Sequence, residues 1–167
     1  MNTQQLVNEV DKKIQQLKSE LQQTGINLLN PIFQEFLEEN PDIVAIRWQQ
    51  YTPYFNDGED CVFRIYDFCF ELTPSARKRY FESLTYLKCH DDTYESNEEY
   101  RNYLQWSEGD LFWLDKNNPE AAALRNKIKS FSQGMLNKDL LHSIFGDHKR
   151  VEVTLGDMKV FPYTKHD

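Results

Sequence analysis

Three aromatic rings and three carboxylates fall within ten consecutive residues: Tyr51, Tyr54 and Phe55 beside Asp57, Glu59 and Asp60. Aromatic faces with nearby acceptors suit a base, a sugar or a cationic peptide side chain. In a hydrolytic version of that site, Asp57 or Glu59 would be the acid–base group and Tyr51 and Tyr54 the stacking platform. Pro53 restricts Thr52 to extended backbone, and Asn56-Asp57-Gly58 is a strong turn signal. The candidate ligand-binding residues are therefore Tyr51, Tyr54, Phe55, Asn56, Asp57 and Glu59. The competing reading is a packed loop whose aromatics cover the open end of a sheet. Calcium is poorly matched, because the carboxylate spacing is not that of an EF-hand loop.

Other chemistry is less well served. His90-Asp91-Asp92, Asp147-His148 and His166-Asp167 place imidazole beside carboxylate, and His142 stands alone on a helical stretch. Such groups can hold a divalent ion that activates water, but no H-x-x-x-H, H-E-x-x-H or H-x-H spacing occurs, so no metal ligand is assigned. Neither G-x-S-x-G, G-x-G-x-x-G nor a Walker pattern is present. Cys61, Cys69 and Cys89 are an odd set without a C-x-x-C, which supports neither a zinc knuckle nor a disulfide framework. No cofactor is implied, and the balance favours a non-enzymatic protein.

The chain of 167 residues, with 40% apolar and 14% aromatic content, can fill one core and reads as a single domain over 1–167. Its net charge of −8 disfavours nonspecific nucleic-acid binding. Residues 91–120 hold nine acids and two bases, a net of −7, while 121–150 hold six bases and two acids, a net of +4. An acidic face is therefore expected beside a basic one. No signal peptide or membrane span is evident, so a soluble cytoplasmic protein with reduced thiols and no membrane partner is expected.

The elements that must position the loop follow from periodicity. Residues 3–24 read as an amphipathic N-terminal helix. Its residues Val7, Val10, Ile14, Leu17 and Leu21 alternate steps of three and four. That stripe either packs on its own domain or forms a homodimer. Gly25 should end this helix, and Asn30-Pro31 should cap a second that stops at Asn40-Pro41. Strands are expected over 42–50 and 61–72, the latter with Tyr66, Phe68 and Phe70 on one face. Helices follow from Thr73-Pro74, from a capping box at Ser96 and Glu99 through Leu104, from Asn118-Pro119 to a stop at Gly134, and then to Gly146. A hairpin with a type II′ turn at Gly156-Asp157 closes the chain. The sum is an α+β fold of about six helices, with two antiparallel β-hairpins joined in one four-stranded sheet.

The pattern W-x-Q-Y-T-P-Y-F-N-D-G-E-x-C-x-F, from Trp48 to Phe63, resembles a segment of uncharacterised proteins of large tailed bacteriophages and bacteria. F-G-D-H-x-x-V-x-V-T, from Phe145 to Thr154, and the final His166-Asp167 are similar to the same group's ending. The resemblance covers about a quarter of the chain and brings no activity with it. It implies that loop and tail belong together and that the protein is phage-encoded, acting in the host cytoplasm. Together these readings point to a binding protein acting on another macromolecule, such as a host protein that a phage inhibits or redirects. The alternative is a nucleotide-like small-molecule binder or a metal-dependent hydrolase using the 51–60 loop.

Overall fold

The computed structural model describes residues 3–54, 58, 60–80, 103–107, 110–111 and 117–164. In chain order these form α1 (Thr3–Glu39), β1 (Ile43–Tyr51), β2 (Arg64–Leu72), α2 (Pro74–Tyr80), β3 (Tyr103–Ser107), β4 (Asp110–Leu111), α3 (Pro119–Met135), α4 (Lys138–Phe145), β5 (Lys149–Thr154) and β6 (Asp157–Pro162). Five strands pair in the order β3-β2-β1-β5-β6, with the two-residue β4 beyond β3, and every ladder is antiparallel. The α+β class holds. Both expected hairpins are present, and β1 pairs with β5 to join them, so the four-stranded sheet is part of a wider one that continues beyond β2.

Four helices are described rather than six: two of the expected helices are one, and a third expected helix falls mostly outside the described residues. Residues 3–39 are one helix, not two, and run through both Gly25 and Pro31. Gly costs about 1 kcal/mol and Pro about 3 kcal/mol in a helix interior. Leu29, Phe33, Phe36 and Leu37 are buried by the continuous helix, at about 1.5–3 kcal/mol each, and that gain exceeds the two costs. Gly25 is a close-approach residue and not a stop. A Cβ built on it would collide with the side chain of Ile144 on α4. Tyr103 and Leu104, expected on a helix, instead pair with Glu71 and Phe70 and satisfy the backbone groups on the outer edge of β2. The Ser96–Glu99 capping box lies outside the described residues, as does the 81–87 end of the helix begun at Pro74.

Smaller shifts have equally local causes. Helix α3 passes Gly134 and ends at Met135, because Asn137 caps α4 immediately afterwards by accepting the Leu140 N–H. The Asn118 cap is as expected, its side chain accepting from the N–H groups of Glu120 and Ala121. The C-terminal turn is Leu155-Gly156, one residue earlier than expected, since Thr154 pairs with Asp157. Gly156 takes the second central position with φ +83°, so the turn is not type II′. It is held by Gln34 of α1, which donates to the Thr154 carbonyl and accepts from the Gly156 N–H.

One face of the sheet carries the core. Trp48 stacks on Phe33 at 5.6 Å and meets Phe145 edge-on at 5.5 Å, while Phe36 stacks on Phe131 at 4.0 Å. The C-terminal half of α1, with α3 and α4, covers Ile46, Trp48, Phe68, Phe70, Val151 and Val153. On the opposite face Arg47 bridges Glu71 (3.3 Å) and Glu152 (2.9 Å) across three strands. The alternation expected for 61–72 breaks at a bulge in β2, where Arg47 faces Cys69 but Gln49 faces Tyr66. One extra residue turns Tyr66 away from the core and admits Ile65 in its place, as a register slip of one must. A second irregularity beside Val44 puts Ile43 into the core with Ile46 and Trp48 and leaves Val44 exposed.

Candidate functional site

The C-terminal end of β1 is where loop, helix exit and tail converge. It is built on Gln50, a fully buried amide at the end of the strand's core face. Its oxygen accepts from Trp48 Nε1 at 3.0 Å, and its nitrogen donates to the carbonyls of Leu141 (3.1 Å) and Gly146. A buried amide with both ends used fixes what it touches, because leaving any partner unmade would cost about 1–3 kcal/mol. Gln50 therefore locks the end of α4 against β1.

Beyond α4 the chain turns through Gly146 (φ +81°) and His148 (φ +53°). The left-handed conformation is uncommon for a residue with a side chain, although histidine tolerates it better than most. Asp147 holds it there. One carboxylate oxygen accepts from the N–H of Thr52 and the N–H of His148, both at 2.8 Å. The other oxygen lies 3.7 Å from His148 Nε2. Burial works to raise the Asp147 pKa, but the Thr52 hydrogen bonds, the His148 N–H and the neighbouring imidazole outweigh it. The carboxyl is held below its ordinary value.

Around this clip lie the rings. Tyr51 stacks on Tyr66 at 4.2 Å and packs against Tyr163 at 5.2 Å, and the Tyr163 N–H donates to the His148 carbonyl at 2.8 Å. Tyr54 stacks on His148 at 5.1 Å and is 78% exposed. His142 stacks on Phe63 at 4.3 Å. Four tyrosines and two histidines thus share one end of the sheet, drawn from four separated stretches of sequence.

Of the six candidate residues, the structure describes Tyr51 and Tyr54, and both belong to this cluster. Phe55, Asn56, Asp57 and Glu59 lie outside the described residues, as do His90-Asp91-Asp92 and His166-Asp167. In the sequence Asp147 and His148 stand out as a His–carboxylate pair suited to a metal and as part of the F-G-D-H pattern, whereas in the structure they clip the loop to the tail. Tyr66, whose face depends on the bulge, and Tyr163 are not marked by any motif, and Gln50 lies inside the W-x-Q-Y pattern without a role being assigned to it. Among the described residues, no three His, Cys, Asp or Glu side chains gather as a metal site, and no helix is long and apolar enough to cross a membrane. Cys69 is buried and Cys61 exposed.

No family model, curated protein or solved structure matches the chain.

Proposed function

We propose that this is a non-enzymatic binding protein that contacts another macromolecule through the end of the sheet formed by Tyr51, Tyr54 and the 146–148 turn. The observation that carries the reading is Tyr54: a largely exposed ring stacked on His148, whose backbone is fixed by Asp147. Tyrosine presents a large, rigid contact surface with a polar tip, and contacts of this kind dominate the energetics of many interfaces. The likeness to tailed-phage proteins makes a host protein the natural partner, one the phage inhibits or redirects in the host cytoplasm. Pull-down from a bacterial lysate tests this directly. We expect saturable capture of one protein by the wild type and loss of capture by Tyr54→Ala. Capture of nothing, or equal capture by both, contradicts it.

A second reading rests on the same ring. A face that stacks on imidazole also suits a nucleotide base, so the cluster could serve a small-molecule site, with or without hydrolysis by Asp57 or Glu59. A thermal-shift panel of nucleotides, sugars and divalent ions separates the two. Stabilisation by a nucleotide that Tyr54→Ala abolishes favours the small molecule, and no stabilisation by any of them removes it.

A further inference from the structure

The continuity of α1 through Gly25 lengthens its apolar stripe. Val7, Val10, Ile14, Leu17 and Leu21 are now followed in the same register by the polar Thr24 and by Leu28, so the spacing runs over three heptads. The whole stripe is exposed, from 42% at Ile14 to 68% at Leu28. It stays exposed even where the other side of the helix is docked, at Gly25 and Leu29. Every residue from Thr3 to Leu21 is exposed, so this part of α1 stands clear of the body for about 28 Å at 1.5 Å per residue. A heptad stripe of aliphatic side chains in water is the seam of a coiled coil.

The flanking charges select the partner and its direction. With Val7, Ile14, Leu21 and Leu28 at a, and Val10, Leu17 and Thr24 at d, Asp11 and Lys18 fall at e and Lys13 and Glu20 at g. In a parallel pair of copies, g faces e of the next heptad, and Lys13 would meet Lys18 of the other copy twice. In an antiparallel pair, e faces e and g faces g. When Ile14 of one copy lies against Leu17 of the other, Asp11 meets Lys18 and Lys13 meets Glu20, each twice. The same alignment sets Val10 against Leu21 and Val7 against Thr24. Sliding the helices by one heptad spoils it in either direction. One slip opposes Asp11 to Asp11 and Lys13 to Lys13, and the other opposes Lys18 to Lys18 and Glu20 to Glu20. Among these arrangements, only one brings opposite charges together along the whole seam.

We propose that α1 pairs with α1 of a second copy of this chain as an antiparallel coiled coil, its two-fold axis passing between Gln15 and Gln16. Each contact in such a pair occurs twice, as a two-fold interface requires. The charge pattern also works against the alternative registers. This proposal uses none of the residues of the sheet-end site, although Gln22 of α1, off the Val7–Leu28 stripe, lies beside Gly146.

Sedimentation equilibrium on the full chain at micromolar concentrations tests it. The wild type should be a dimer. Lys13→Glu sets a carboxylate against Glu20 of the other copy, twice per dimer, and should weaken the dimer about tenfold. Lys13→Glu combined with Glu20→Lys should restore it. Both positions are exposed, and circular dichroism of dilute samples checks that the variants remain folded. A wild type that stays monomeric overturns the proposal. So does a Lys13→Glu dimer tighter than wild type, which is the signature of parallel pairing with Lys18. A charge swap that fails to restore the dimer overturns the register. None of these outcomes depends on Tyr54, so a lost dimer and a lost binding partner are separate failures.

Discussion

Helix α1 carries two apolar surfaces with opposite fates. In its C-terminal half, Gly25, Leu29, Phe33, Phe36 and Leu37 are buried against the sheet and α4. In its N-terminal half, Val7, Val10, Ile14, Leu17 and Leu21 are no less aliphatic, yet all are exposed. Hydrophobicity alone does not distinguish them. The docked surface mixes aromatic and small residues, with Phe33 filling the space against Trp48 and Gly25 admitting Ile144. That is the irregular relief of a surface shaped to one particular neighbour. The projecting surface is uniform in size and strictly spaced, which suits a regular helix and not a sheet. The difference shows which apolar residues hold the monomer and which are left for association.

The largest test of that comparison removes one side chain from each half. Phe33→Ala should cost about 3–5 kcal/mol, because a fully buried ring leaves a cavity beneath Trp48. Leu17→Ala should alter stability by no more than about 0.5 kcal/mol, provided urea denaturation is run dilute enough to keep copies apart. Equal costs for the two would erase the distinction. Gly25→Ala, at the boundary, is a finer probe. Overpacking a core costs about 1–3 kcal/mol, and alanine recovers about 1 kcal/mol of helix propensity. The Cβ would meet three carbons of Ile144, a branched and buried side chain with little room to turn. A net loss of about 1 kcal/mol is expected. A gain would mean that Gly25 serves neither as a stop nor as a close approach.

The same contrast explains how much could be read without coordinates. Both hairpins, the Asn118 cap and the shared face of Phe68 and Phe70 follow from local spacing, and they are found where expected. The failures sit where distant packing overrides a local signal. Gly25 and Pro31 carry strong break signals, but the burial that outweighs them depends on α4 and the sheet, far away in sequence. Alternation puts Tyr66 on the face of Phe68 and Phe70, and a bulge opposite β1 moves it to the site. At the sheet end, Tyr51 and Tyr54 are legible because they cluster with Pro53 in the sequence. Gln50, Tyr66 and Tyr163 are not, because each gains its role from a partner on another strand or helix.

A smaller loss than at Phe33 or Gly25 concerns Asp147, which fixes the turn leaving α4. Its folded pKa lies below the ordinary 3.8. Its charge therefore adds stability above that value, and the contribution is lost as the pH falls through the lower folded one. Asp147→Asn keeps an oxygen that can accept from Thr52 and His148 but has no charge to lose. At neutral pH the variant should be less stable by under about 1 kcal/mol, since the carboxylate is partly exposed to solvent. In acid the two stability curves should converge, because the wild-type carboxyl is then neutral as well. Denaturant midpoints measured at a series of pH values from neutral into strong acid would trace this. A constant gap at every pH would show that Asp147 acts by shape alone, and that its charge has no part in holding the loop to the tail.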